Sequence, residues 1–300
     1  MKDTGPYQVA PLVTFAQADL VEQFSAFPPP ACIYVMGAPD WGKTTLCRYL
    51  AARLAWRQRA AYLDADPGQS LLGPPGTIGL AMGEPGAAPP LALWFVGSNS
   101  PARRIDSMLE GLAALSARAR AAGARTLIVD SCGYTLDAGG TTFQLRSLER
   151  LQPDHIVALQ IAFEVEPILG SPGIGARARI HRLTALPVRR RSMAQRAAYR
   201  SERFRRYFAD AAPVELELSH LSVVDDLPEP ADFCFRLAAL CDAQGFVVVL
   251  AIAQSLDLTT GRLRCLAPPC DPARVVSVRV GTLRVDPATG EDEETMNAER

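Results

Sequence analysis

Unbroken apolar runs and helix-periodic segments alternate through the first two thirds of the chain. Ala31-Cys32-Ile33-Tyr34-Val35-Met36 is apolar at every position. Strands of this kind are buried on both faces, which predicts a mostly parallel sheet flanked by helices. The segment after it carries Leu46, Leu50 and Leu54 at four-residue spacing, one face of a helix. Further strands are predicted at Ala61-Tyr62-Leu63, 91–96, 126–129 and 155–161, and helices near 102–122 and 141–152. Strand and helix in this rhythm predict an α/β fold with right-handed crossovers.

Five stretches stand outside the rhythm. Residues 1–30 form a lead-in ending in Phe27-Pro28-Pro29-Pro30, which stops any helix before it. Residues 67–90, with Pro74-Pro75-Gly76 and Pro89-Pro90, read as a long surface loop. From about 212, apolar strands with turns such as Thr259-Thr260-Gly261 predict a small β-rich C-terminal part reaching to 290. Residues 291–300 read as a solvated acidic tail.

The fifth stretch is dense in arginine. Residues 189–208 read as a helix starting after Pro187. At about 100° per residue, Met193, Ala197, Phe204 and Phe208 form one apolar seam. Arg196, Arg200 and Arg203 cluster within about 60° of one another beside that seam, and Arg205 and Arg206 point away. A bland solvated helix keeps its arginines opposite the seam. Two readings stay open here: a lid that stabilises charge on a transferred phosphoryl group, or a basic face that binds phosphates.

The first apolar run leads directly into Gly37-Ala38-Pro39-Asp40-Trp41-Gly42-Lys43-Thr44-Thr45, which fits the Walker A pattern G-x-x-x-x-G-K-[ST]. Its glycines let the backbone turn successive N–H groups onto phosphate oxygens, and the helix start adds its partial positive charge. Lys43 is placed to reach the β- and γ-phosphates of ATP, and the Thr44 hydroxyl to ligate Mg²⁺. Trp41 is a bulky member that the motif does not explain. Asp130, ending the run Thr126-Leu127-Ile128-Val129, takes the Walker B position and is a metal candidate. Asp64 and Asp66 follow another strand at the carboxyl edge of the sheet, where ligands bind in such folds. Asp66 suits the base that positions and deprotonates an acceptor hydroxyl; for Asp64 a turn residue is as good a reading.

Composition narrows the class. With 300 residues the chain can bury one large core and a smaller appendage. A net charge of −1 excludes a protein that coats nucleic acid by its overall field, so any such contact is a local patch. Seven cysteines without a C-x-x-C pair read as buried apolar residues in a reducing compartment, not a disulfide frame or zinc site. Without a signal-peptide pattern or a membrane-length apolar run, the expectation is a cytoplasmic protein with no membrane partner.

In this order the motifs resemble the polynucleotide 5′-hydroxyl kinases related to the kinase subunit of the eukaryotic pre-mRNA cleavage factor and to the nucleolar pre-rRNA-processing kinase. The resemblance rests on the Walker A loop, Tyr62-Leu63-Asp64-Ala65-Asp66-Pro67-Gly68-Gln69 with Pro74-Pro75-Gly76, and Phe95-Val96-Gly97-Ser98-Asn99-Ser100-Pro101. It rests further on Asp130-Ser131-Cys132-Gly133-Tyr134, the pattern through Arg196, Arg200, Arg203 and Tyr207-Phe208, and Val280-Gly281-Thr282-Leu283-Arg284. The resemblance implies an ATP- and Mg²⁺-dependent kinase acting on a nucleic-acid 5′-OH end, RNA favoured over DNA. It implies Asp66 as base and metal-associated carboxylate, Gln69 on the substrate side, and Arg196 and Arg200 as lid arginines, with Arg203 beside them. Tyr134 stands where the family usually has a tryptophan that stacks on the substrate nucleotide, and Asp130 where it commonly has Asn. The expected layout is a P-loop kinase domain at 31–211, with the arginine-rich helical lid at about 187–208. The stretch before the P-loop is too short for the N-terminal β-domain of the eukaryotic members, which suggests a stand-alone microbial version, and no protein partner is indicated. Three rivals remain: a non-catalytic ATP-binding scaffold, a P-loop GTPase and a small-molecule kinase. No Asn-Lys-x-Asp guanine-reading motif is present to favour the GTPase.

Overall fold

A computed structural model describes residues 15–185 except 29, and 190–294 except 226–228, 230, 231 and 258. Among these residues the first sheet comprises β1 (Ala31–Met36), β2 (Ala60–Ala65), β3 (Thr77–Met82), β4 (Ala92–Phe95), β5 (Thr126–Ser131), β6 (His155–Gln160) and β7 (Arg179–Thr184). Its order is β4-β3-β2-β5-β1-β6-β7. The five strands from β2 to β7 in that order run parallel, whereas β3 pairs antiparallel with both β2 and β4. The continuous apolar run of β1 follows from helices on both faces. Cys32, Tyr34 and Met36 pack with α3 (Ile105–Ala121) and α4 (Ala138–Leu151) through Met108, Leu112, Leu115 and Phe143. Ile33 and Val35 pack with α1 (Phe15–Ala26) and α2 (Lys43–Ala55) through Phe24, Leu46, Leu50 and Leu54. The short α5 (Glu166–Leu169) and α6 (Ile174–Arg177) link β6 to β7.

The second sheet holds β8 (Ala212–Glu217), β9 (Ser222–Val223), β10 (Arg236–Cys241), β11 (Val247–Asp257), β12 (Arg262–Ala267), β13 (Ser277–Val285) and β14 (Asp292–Glu294). Its order is β14-β13-β10-β11-β12-β8, with β9 parallel to β13. The arginine helix α7 (Met193–Tyr207) buries Phe204 and Phe208 against this sheet, together with Phe95, Leu250 and Leu283. Tyr207 Oη also accepts the Leu250 amide at 2.9 Å.

Several sequence expectations are corrected. The stretch 67–90 is no continuous surface loop: β3 lies inside it, buried and paired to β2 and β4. Gly79 hides that strand from a propensity reading. A Cβ there would lie 2.9 Å from Leu72 Cβ and Leu93 Cδ2, so the glycine serves close packing and makes no turn. The acidic tail is ordered at its start, since β14 pairs with β13 and the Asp292 side chain is 1% exposed. Residues 295–300 lie outside the described residues. α7 begins at Met193, after a capping box made by Ser192 and Gln195, and Met193 is exposed, so the seam is carried by Phe204 and Phe208. Residues 186–189, where the helix start was expected, lie outside the described residues. The lead-in does contain a helix, α1, which ends before the prolines as expected and joins the core through Leu20, Val21 and Phe24. Cys270 is exposed and Cys234 half-buried, while the other five cysteines are buried. No described helix is long and apolar enough to cross a membrane.

The two sheets meet at a pair of glycines. Gly97 has φ +75°, and a Cβ on it would fall 2.7 Å from Gly281 Cα. Thr282 N donates to Gly97 O at 2.8 Å across the same contact. A Gly97→Ala variant is therefore expected to lose about 3 kcal/mol of stability, from overpacking and a left-handed backbone together. Denaturant unfolding measures this; a loss below about 0.5 kcal/mol would contradict the contact.

Beneath α1, His155 on β6 is fully buried between Phe24 and Phe27, with Nδ1 3.0 Å from His181 Nε2. Burial, then the neighbouring His181, push the His155 imidazole down to about 4. The unfolded chain therefore binds the proton first as pH falls. The stabilisation is complete above about 6.5 and is lost toward pH 4. At pH 5 it costs on the order of 2 kcal/mol. The His155→Leu variant should show a smaller drop in unfolding free energy between pH 7.5 and pH 5 than the parent chain. An equal drop would place the titration elsewhere.

Candidate active site

The phosphate loop leaves β1 at Met36 and enters α2 at Lys43. Gly37 (φ +151°), Asp40 (φ +63°) and Gly42 (φ +85°) turn the backbone. A Cβ on Gly37 would stand 2.4 Å from Leu159 O of β6, and one on Gly133 would stand 2.6 Å from Pro39 Cγ. The loop is thus wedged between the ends of β6 and β5, with no room for side chains at either glycine. Lys43 is buried, and its Nζ donates to Ala38 O at 3.0 Å, so the ammonium is held inside the curl of its own loop. Gly42 offers no side-chain cap to α2. The first-turn amides therefore remain available to an anion. Trp41, unexplained by the motif, is buried with Ala38 and Ala185 and walls the loop on the β7 side.

Asp64 and Asp130 are register partners on β2 and β5, and both are buried. β5 continues through Asp130 to Ser131, so this carboxylate lies within the strand. Tyr62 Oη donates to Asp130 Oδ2 at 2.7 Å. Burial pushes the Asp130 carboxyl up, while Lys43, Thr44 and Tyr62 draw it back. Burial, then the charge of Asp130, push Asp64 to about 7. Asp64 Oδ2 accepts from Ser70 Oγ at 3.1 Å and from the Leu72 amide at 3.1 Å, with Leu71 N beside them. Asp64 thereby organises the loop 66–73.

On that loop, Asp66 Oδ1 accepts the amides of Gly68 at 3.0 Å and Gln69 at 2.9 Å. Its Oδ2 has no hydrogen-bond partner among the described residues. One oxygen fixes the side chain and the other is left for chemistry. Gln69 joins this loop to the arginine helix: its Nε2 donates to Gly68 O at 2.7 Å and Arg196 O at 3.4 Å, and its Oε1 accepts from Arg191 Nη1 at 3.2 Å.

Arg191, just before α7, and Arg196, Arg200 and Arg203 on it each make a different contact, whereas Arg205 and Arg206 pair with Glu202. Arg196 Nη2 donates to Asp40 Oδ2 of the phosphate loop at 2.5 Å. Arg191 Nε donates to Asp40 Oδ1 at 2.9 Å and its amide to Oδ2 at 3.0 Å. Burial opposes the Asp40 charge, yet Arg191 and Arg196 hold the carboxyl below its ordinary range. Arg203 Nη2 donates to Leu71 O at 3.1 Å and Gly73 O at 2.6 Å, and Tyr199 Oη to Ser70 O at 2.8 Å. Arg200 Nε lies 2.9 Å from both oxygens of Asp292. The helix is a fixed bracket in this conformation, clamped on one edge to the loops and on its seam to the second sheet.

Tyr134 is half-buried over the start of α4, where a Cβ on Gly139 would lie 2.2 Å from its Oη. Buried Gln144 donates to Tyr134 O at 3.0 Å and accepts from Tyr34 Oη at 2.8 Å, which sets the loop carrying Tyr134. Gln144, Arg191 and Asp292 escaped the sequence reading. Only Arg191 carried a local signal, as part of the Arg189-Arg190-Arg191 run.

A family model described as "mRNA cleavage and polyadenylation factor CLP1 P-loop" matches residues 37–210. The chain is 25% identical over 325 residues to a polyribonucleotide 5′-hydroxyl-kinase of Pyrococcus horikoshii, covering 88% of each chain. It is 33% identical over 201 residues to a polyribonucleotide 5′-hydroxyl-kinase of Pyrococcus furiosus, covering 65% of this chain and 55% of that protein. The fold is similar to that in a structure of the wild-type Clp1p–Pcf11p complex, with TM-score 0.65 and 15% identity over 89% of this chain and 77% of that one.

Proposed function

Because the chain belongs to the CLP1 P-loop family, matched over residues 37–210, we propose that it transfers the γ-phosphate of ATP to the 5′-hydroxyl end of RNA. The observation that carries this reading is the convergence of three parts. A phosphate loop with a buried lysine, a carboxylate with one unpartnered oxygen, and an arginine helix bracketing both are joined by named hydrogen bonds. The relatives named as polyribonucleotide 5′-hydroxyl-kinases support the acceptor.

The backbone amides of the loop and Lys43 hold the β- and γ-phosphates. Asp66 Oδ2 takes the proton of the RNA 5′-hydroxyl as its oxygen bonds to the γ-phosphorus. The bond from that phosphorus to the β–γ bridging oxygen breaks, and ADP leaves with the electron pair. Arg196 and Arg200 balance charge on the transferred group. Thr44 and Asp130 would hold Mg²⁺, with Asp66 next to them. Their hard oxygen donors fit it, as does the repulsion between Asp64 and Asp130 that a dication would relieve. When bound, the ion would neutralise charge on the phosphate oxygens. Among the described residues no cluster of three or more acidic, His or Cys side chains is built to hold a metal alone. Tyr134 offers a ring face to the acceptor nucleotide. A cytoplasmic location fits the free and mostly buried cysteines.

Initial rates on matched 5′-OH RNA and DNA oligonucleotides test the acceptor class. RNA is expected to be the better substrate. A preference for DNA, or transfer to neither despite ATP binding, would overturn the assignment, the latter in favour of an ATP-binding scaffold.

A further inference from the structure

Arg200 belongs to the group of side chains that the reaction above places at the transferred phosphoryl. A free arginine side chain samples many rotamers, and a guanidinium that must meet a transient charge acts best when fixed beforehand. What fixes it comes from the far end of the chain. Asp292, the first residue of β14, has a side chain 1% exposed, with both oxygens 2.9 Å from Arg200 Nε. Its Oδ2 also accepts from Asn99 Nδ2 at 2.8 Å.

Asn99 in turn touches the loop that carries Asp66, because a Cβ on Gly68 would lie 2.5 Å from Asn99 O. The strand itself is held in register, with Val285 opposite Asp292 and Leu283 opposite Glu294. The turn before it presses on α7, where a Cβ on Gly290 would lie 2.4 Å from Ser201 O. One buried carboxylate thus ties together the second sheet, the arginine helix and the loop after β4. With Nε engaged, the Nη1 and Nη2 fork of Arg200 has no hydrogen-bond partner among the described residues. That fork is the part of a guanidinium suited to phosphate oxygens.

We infer that Asp292 is a positioning residue for phosphoryl transfer, acting through Arg200, and that the C-terminal sheet is thereby a working part of the site. This rests on the kinase reading given above. Steady-state kinetics with ATP and 5′-OH RNA on the parent chain and the Arg200→Ala, Asp292→Ala, Asp292→Asn and double Arg200→Ala/Asp292→Ala variants test it. Asp292→Ala is expected to lower kcat about 10- to 100-fold, with KM for ATP and for RNA within about twofold. Asp292→Asn keeps a neutral acceptor and should fall between that variant and the parent, which retains a test if the alanine variant folds poorly. The double variant should be no slower than Arg200→Ala, since Asp292 acts only through that side chain.

Additive losses would overturn the inference alone, as would a kcat for folded Asp292→Ala or Asp292→Asn equal to that of the parent. A parent chain that transfers nothing would overturn the kinase reading and the inference together.

Discussion

Lys43→Ala is expected to lower the rate of phosphoryl transfer by about a thousandfold or more. The Lys43 ammonium is buried and held by Ala38 O inside the loop, so its charge acts in a site largely closed to water. There a fixed charge is worth far more than at the surface. Each factor of ten corresponds to about 1.4 kcal/mol of transition-state stabilisation, so the loss amounts to about 4 kcal/mol. The fold should survive, because the loop is shaped by Gly37, Asp40 and Gly42 and wedged against Leu159 and Gly133, none of which depends on Lys43. Single-turnover rates beside a thermal unfolding curve separate the two effects. A variant that unfolds with the parent and transfers phosphate within about tenfold of it would remove Lys43 from the chemistry.

The second large effect is expected at Asp66. Asp66→Asn keeps an oxygen for the amides of Gly68 and Gln69, so the loop and its link to Arg196 stay in place. What it removes is the basicity of the oxygen left unpartnered. General-base catalysis contributes about 10²- to 10⁴-fold, and kcat should fall by that order with the unfolding midpoint unchanged. Asp64 provides the contrast. Its Oδ2 is committed to Ser70 and to the amides at 71 and 72, so replacing it by alanine disturbs the loop and lowers stability as well as rate. Near-normal turnover in folded Asp66→Asn would show that another group takes the proton.

The sequence made the centre of the fold legible because local patterns carry it. A strand apolar at every position needs cover on both faces, and β1 has it, with alternate residues entering two separate clusters. The phosphate loop is a short-range motif whose geometry is set within nine residues, and it lies where the motif requires. The arginine edge of α7 was readable from helical periodicity, since Arg196 and Arg203 face the loops and Arg200, between them, meets Asp292 of β14. Met193 misled because the periodic seam extends past the point where the helix meets the sheet.

Other features had no local signature. β3 is short, flanked by glycine and proline, and interrupted by Gly79, whose purpose is visible only when Leu72 and Leu93 are seen to press on it. Arg200 and Asp292 are 92 residues apart, and Arg196 and Asp40 are 156 apart. No periodicity within an element reports contacts at such separations. Acidic residues near a chain end fit a solvated tail by composition, and only the pairing of β14 with β13 shows otherwise. Trp41 is explained in the same way, by Ala185 reaching it from the end of β7.

On this reading the phosphate loop serves an RNA 5′ end. Incubating the protein with γ-labelled ATP and a 5′-OH RNA oligonucleotide tests it most directly. Label is expected on the terminal 5′ position, with none on the same RNA already carrying a 5′-phosphate and none with Lys43→Ala. ATP binding without label on either RNA or DNA would contradict it.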